Sequence, residues 1–181
     1  MFDVMKFRIL KNFMPDMTGG SVFELPYDRF RDEGIKGLIY DIDNTLVMHG
    51  APPNQRCVEL FAKLKDMGFS VFILSNNGVD RVKSFADTVG ADYLYKAHKP
   101  SKDGYLRACE KMGIGADEAA AVGDQIFTDI WGARRSGIRA VMVDPIDSRE
   151  EIQIKLKRLL EKPIIVAYRK RGTLDSTVTH L

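Results

Sequence analysis

The chain has 181 residues, 45% hydrophobic and 29% charged, with a formal net charge of +2. That is enough apolar sequence to bury one core, and too little net charge to argue for nucleic acid. Two cysteines make no disulfide framework, no run of about 18 apolar residues spans a membrane, and Met1 to Phe13 is too broken by charge for a signal peptide, so the expected compartment is the cytosol.

Residues 1–35 read as a preamble. Phe7, Ile9, Leu10, Phe13 and Met14 alternate with Lys6, Arg8 and Lys11, which predicts an amphipathic basic segment ending near Pro15. It reads either as a helix covering the core or as a membrane or partner contact. Gly19-Gly20 marks a turn, and Pro26 to Glu33 a short helix stopped by Gly34. Gly37-Leu38-Ile39-Tyr40 is a buried strand, and Pro52-Pro53 opens a helix that Gly68 closes, with Val58, Phe61, Leu64 and Met67 at near-helical spacing. Phe69 to Leu74 is a second strand, Val79 to Val89 a helix, Asp92 to Tyr95 a third strand and Ser101 to Met112 a helix. Ala119 to Val122 is a fourth strand, Phe127 to Ser136 a helix and Ile138 to Val143 a fifth strand. A helix is expected over Arg149 to Lys162, a short strand or docked tail at Ile164 to Ala167, and a frayed end. Alternating strands and helices with short connections predict one α/β domain over 1–181. It is a Rossmann-like three-layer parallel sheet with helices on both faces, its core at about 36–145 and a C-terminal helix and tail over 146–181.

In such a sheet ligands bind beyond the carboxyl ends of the strands. The first strand ends at Asp41-Ile42-Asp43-Asn44-Thr45, where two carboxylates can hold a hard cation and provide a nucleophile and a proton carrier. Taken alone, the same residues read equally as a polar turn. The second strand ends at Ser75 and Asn76, a hydroxyl and an amide suited to phosphate oxygens or to a capped turn. The third leads to Lys99, held by Pro100, a point charge able to neutralise a phosphoryl group. The fourth ends at Gly123-Asp124, which can complete a cation site. Asp129 follows, as an outer partner of that site or a helix-start acid. Each signal is modest, but four successive strands put acid, hydroxyl, amine and acid into one crevice. His49, His98 and His180 form no cluster, although His98 stands beside Lys99.

Asp41-x-Asp43-x-Thr45, Ser75, Lys99-Pro100 and Gly123-Asp124 with Asp129 resemble the four ordered motifs of the haloacid dehalogenase superfamily. Lys11 to Pro15, Gly34 to Gly37 and Asp43 to Leu46 further resemble its YqeG-like phosphatases (subfamily IIIA), relatives of the mitochondrial phosphatidylglycerophosphate phosphatases. The resemblance implies an Mg²⁺-dependent phosphomonoester hydrolase. In it Asp41 is nucleophile and metal ligand, and Asp43 is acid and base, with its backbone carbonyl on the metal. Ser75 and Asn76 bind phosphate, Lys99 offsets charge, Asp124 ligates Mg²⁺, and Asp129 is an outer or alternative ligand. The second acid, Asp43, favours phosphate chemistry over dehalogenation.

The family's small-metabolite enzymes carry a cap domain, for which neither Thr45 to the first helix nor Ser75 to Lys99 leaves room. An open site suits a phospholipid headgroup, a macromolecule or a homo-oligomer whose neighbour closes it. From Lys155 onward seven Lys/Arg stand against two acids. That charge suits an anionic membrane surface as well as a solvated face. The expected substrate is phosphatidylglycerophosphate. The alternatives are a soluble sugar phosphate, nucleotide or phosphoprotein, and a non-catalytic binding module.

Overall fold

The computed structural model describes residues 12–147. In chain order these form β1 (Met17–Gly19), α1 (Tyr27–Asp32), β2 (Gly37–Tyr40), α2 (Gln55–Asp66), β3 (Ser70–Leu74), α3 (Val79–Val89) and β4 (Asp92–Leu94). They continue with α4 (Lys102–Met112), β5 (Ala119–Gly123), a π-turn (Ile126–Ile130), α5 (Trp131–Arg135) and β6 (Arg139–Val143). The expected helix at 149–162 and strand at 164–167 lie outside the described residues, as do residues 1–11 of the preamble.

The six strands form one parallel sheet in the order β1-β6-β5-β2-β3-β4. β2 sits at its centre, pairing Gly37 with Ser70 of β3 on one side and with Ala119 of β5 on the other. Every residue of β2 and β5 is buried, as expected of strands covered on both faces. The alternation of the pleat sorts their side chains between two cores. Leu38, Tyr40, Val71, Ile73 and Val122 pack with Phe61 and Leu64 of α2 and Val82 and Phe85 of α3. Ile39, Phe72, Leu74 and Ala121 pack with Tyr105 and Ala108 of α4 and with Ile130 and Ala133. This is the three-layer arrangement the sequence predicts.

The helix ends follow local chemistry. Asn54 caps α2 by accepting from the Cys57 N–H at 3.1 Å, so that helix begins two residues beyond Pro53. α3 and α4 end on Gly90 and Gly113 at φ +65° and +70°, a conformation glycine adopts without a Cβ penalty. Phe61 is fully buried with its ring 5.3 Å from that of Tyr40. Phe61→Ala is expected to lower unfolding stability by about 3–5 kcal/mol, measured by denaturant titration.

β1 is a strand the sequence reading lacks: Gly19-Gly20 is read there only as a turn. Met17, Thr18 and Gly19 pair with Val141, Met142 and Val143 at the sheet edge. Three residues are too few to show a period, and what makes them a strand is a partner more than 120 positions away. Among the described residues no inserted cap interrupts β2–α2 or β3–β4; the latter connection holds α3 alone.

Candidate active site

All six strands being parallel, their carboxyl ends share one edge, and Asp41, Ser75 and Asp124 lie there. The Asp41 N–H donates to Val122 O at 3.1 Å, which ties the first residue after β2 to the end of β5. Lys99 reaches the cluster from the loop after β4. Its ammonium donates to Asp41 Oδ1 and to Asp129 Oδ1, both at 2.6 Å. Asp129 is fixed a second time, its Oδ2 accepting from the Gln125 N–H at 3.1 Å. Asp124 is fully buried and accepts from the Thr45 hydroxyl at 3.3 Å. Carboxylate oxygens of Asp41, Asp124 and Asp129 lie within 4.8 Å of one another.

The backbone of Lys99 is gripped by one side chain. Asn76 Oδ1 accepts from the Lys99 N–H at 2.7 Å, and Asn76 Nδ2 donates to the Lys99 carbonyl at 3.2 Å. The peptide bond to Pro100 is cis. The Asn76 amide therefore holds the lysine backbone through both its ends, and its second Nδ2–H is a further donor. Ser75 is buried; its hydroxyl oxygen accepts from the Asn77 N–H at 3.2 Å, which leaves its own O–H as a donor at the strand end.

Asp43 has partners of its own. Its Oδ1 accepts from the Gly50 N–H at 2.8 Å and from Arg81 at 3.0 Å, and its Oδ2 accepts from the Asn77 amide. The two acids of the Asp-x-Asp pair thus live in different environments. Burial pushes the Asp41 carboxyl up to about 6, helped by the nearby Asp129 charge and opposed by Lys99. Burial also pushes Asp43 upward, but its hydrogen bonds to Gly50, Arg81 and Asn77 outweigh it and hold the group below the ordinary carboxylate range. Burial works against the Lys99 charge, yet Asp129 and Asp41 overcome it and raise Lys99 well above the usual lysine value.

Three carboxylates against one ammonium leave a formal charge of −2 in a buried cluster of oxygen donors. That set fits a hard divalent cation such as Mg²⁺, which takes few carboxylates. Beneath it lies a void of only about 10 Å³, lined by Ile39, Leu74, Tyr105 and Ala121 among others. It is too small for a substrate.

The sequence reading gives no role to Thr45, Asn77, Arg81 or Tyr105. Tyr105 donates to the carbonyls of Thr128 and Asp129 at 3.3 and 3.2 Å and braces the π-turn. Arg81 had a usable signal. It is a cation in the first turn of α3, where the helix dipole disfavours positive charge, and such a placement calls for a carboxylate nearby. His49 stands with Nδ1 4.0 Å from Asp43 and is exposed.

Comparison with known proteins agrees with this geometry. The family model for haloacid dehalogenase-like hydrolases matches residues 48–137. The chain is 33% identical over 166 residues to the probable phosphatase YqeG of Bacillus subtilis, covering 91% of this chain and 96% of that protein. It is 24% identical over 178 residues to phosphatidylglycerophosphate phosphatase 1, chloroplastic/mitochondrial, of Arabidopsis thaliana, covering 88% of this chain and about half, 49%, of that longer protein. Among solved structures, the cobalt-bound deoxy-D-mannose-octulosonate 8-phosphate phosphatase of Haemophilus influenzae shares the fold. Its TM-score is 0.51 at 17% identity, over 80% of this chain and 95% of that one. A sheet-edge cluster of this make-up, a parallel sheet of this order and a relative matched over nearly its whole length agree: the chain belongs to the haloacid dehalogenase-like hydrolase family, as a phosphatase.

Proposed function

We propose that this phosphatase is Mg²⁺-dependent, works through an aspartyl-phosphate on Asp41, and has phosphatidylglycerophosphate as its substrate. The observation that carries the chemistry is the buried Lys99 bridging Asp41 and Asp129 at 2.6 Å, with Asp43 held apart by its own donors. Asp41 attacks phosphorus and the bond to the leaving alcohol breaks. Asp43, a carboxylate in the free site, takes up a proton as the anionic substrate binds and gives it to that oxygen. It then takes one from water, which attacks phosphorus, frees inorganic phosphate and restores the Asp41 carboxylate. Lys99 and the Ser75 hydroxyl hold the phosphoryl oxygens, and Asn76 acts by fixing Lys99. Asp41, Asp124 and the Asp43 carbonyl would hold the Mg²⁺. Asp129 has both carboxylate oxygens engaged, by Lys99 and by the Gln125 N–H, which favours its role as an outer partner. The bound cation supplies charge neutralisation for the transferring group.

The lipid reading is supported by the name of the Arabidopsis relative, by the open edge, and by the rim around it. Of the five large apolar side chains exposed among the described residues, three (Met48, Tyr95 and Ile146) stand on loops leaving the carboxyl ends of strands, and Val79 opens the helix that follows β3. Apolar side chains exposed along the sheet edge that carries the site suit an interface with lipid. Among the described residues no helix is long and apolar enough to cross a membrane.

The test is phosphate release by purified protein from micellar phosphatidylglycerophosphate, beside a panel of soluble phosphomonoesters. Release from the lipid is expected to exceed release from every soluble ester and to fall about 100-fold on chelation, returning with Mg²⁺. Faster release from soluble esters would refute the lipid assignment. Because the Asp41 carboxyl titrates near 6 without metal, a cation must displace its proton below that pH. Apparent Mg²⁺ affinity is therefore expected to weaken up to about tenfold per pH unit below pH 6 and to level off above it, read from Mg²⁺ titrations between pH 5 and 8.

Gly123 offers a structural check. A Cβ there would lie 2.4 Å from Cβ and Cγ of Asp129. Gly123→Ala should displace Asp129 from Lys99 and cost about 10- to 100-fold in kcat in a protein that still melts cooperatively.

A further inference from the structure

Arg81 has more donors than its partner in the fold uses. A guanidinium carries five N–H donors, and among the described residues a single hydrogen bond engages this one, to Asp43 Oδ1 at 3.0 Å. Its Nε is buried without a partner. The side chain is 23% exposed, so the group is reachable from solvent, and its Cζ lies 5.8 Å from the centroid of the Phe85 ring. Asp43 does not depend on it alone, since the Gly50 N–H and the Asn77 amide already grip both carboxylate oxygens.

Where Arg81 stands matters as much as its spare donors. An acid that protonates the leaving oxygen must touch it, so the alcohol half of the substrate extends past Asp43. Arg81 is the cation bonded to that carboxylate. We propose that Arg81 is a specificity residue that receives a second anionic group, phosphodiester or carboxylate, carried on the leaving alcohol. Bidentate capture of such oxo-anions is what the guanidinium fork does well. The inference rests on the reading of Asp43 as the leaving-group acid. It holds for a lipid headgroup or a soluble ester alike, the shared chemistry being the second anion.

The experiment compares kcat and KM of wild type, Arg81→Gln and Arg81→Lys on three esters: glycerol 3-phosphate, the deacylated headgroup glycerophosphoglycerol phosphate, and micellar phosphatidylglycerophosphate. Wild type should prefer the headgroup over glycerol 3-phosphate. Arg81→Gln should lower kcat on both to a similar extent, because Asp43 loses a donor, and raise KM by about 10- to 100-fold only where the second anion is present. Arg81→Lys should restore part of the preference, and added salt should erode it. An equal effect on soluble headgroup and lipid supports recognition of the anion. Cleavage of the soluble headgroup alone, still Arg81-dependent, would end the lipid assignment and leave this inference standing. A preference unchanged in Arg81→Gln, no preference in wild type, or an effect confined to the lipid would overturn it. Melting curves show whether each variant is folded.

Discussion

Asp41→Asn is expected to release phosphate at least about 10⁴-fold more slowly than wild type from every substrate, the scale on which a removed nucleophile is felt. The amide fits the same space but cannot attack phosphorus. Lys99 would remain paired with Asp129 through its 2.6 Å contact, so the cluster keeps a counter-charge and the sheet edge its shape. The stability consequence has a definite sign. Asp41 titrates near 6 in the folded chain, above its ordinary value of 3.8. Its ionisation therefore weighs against folding as pH rises from about 4 to 6, and fully so above that. Without metal, the variant should melt no lower than wild type at pH 8, while Mg²⁺ should raise its melting temperature less than it raises that of wild type. Phosphate assays and melting curves with and without Mg²⁺ check both statements.

Asp43→Asn is expected to cost about 10² to 10⁴ in kcat, the usual worth of a general acid–base group. Its signature should separate it from Asp41→Asn. Breaking the ester of an activated phenol needs little help from an acid, so p-nitrophenyl phosphate should still phosphorylate Asp41. The second half needs Asp43 to deprotonate water, so the phosphoenzyme should accumulate. A burst of one p-nitrophenolate per active site, followed by slow turnover, is the expected trace. The variant should fold, because the amide oxygen that replaces the Asp43 carboxylate can still accept from the Gly50 N–H, which lies 2.8 Å from Asp43 Oδ1 in the wild type.

The site was legible in the sequence wherever topology alone decides position. Asp41, Ser75 and Asp124 each follow a short apolar strand, and once the strands are parallel they must share an edge. Lys99 followed for the same reason, one loop beyond β4. What stayed hidden depends on contacts between loops distant in sequence. Asn76 folds back on the backbone of Lys99, 23 positions later, and Arg81 reaches Asp43 across 38. No local period or propensity names the partner in either pairing, although the place of Arg81 in the first turn of α3 calls for an acid. The helix expected to begin at Phe127 instead opens one residue earlier as a π-turn, with the Ile130 N–H and the Asp129 N–H both directed to Gln125 O. Asp129 returns its own carboxylate to the Gln125 N–H, so the same acid that pairs with Lys99 also closes the helix start. β1 escaped for a different reason: its three residues become a strand only by joining β6.

The most direct test of the covalent route is to incubate Asp43→Asn with substrate and Mg²⁺, quench in acid, and locate the added phosphoryl group by peptide mass mapping. One phosphoryl group per chain is expected, on the peptide containing Asp41, labile to hydroxylamine and absent when Asp41→Asn is added to the same chain. Continued slow turnover with no phosphoenzyme, or a phosphoryl group on any other residue, would contradict an aspartyl-phosphate on Asp41.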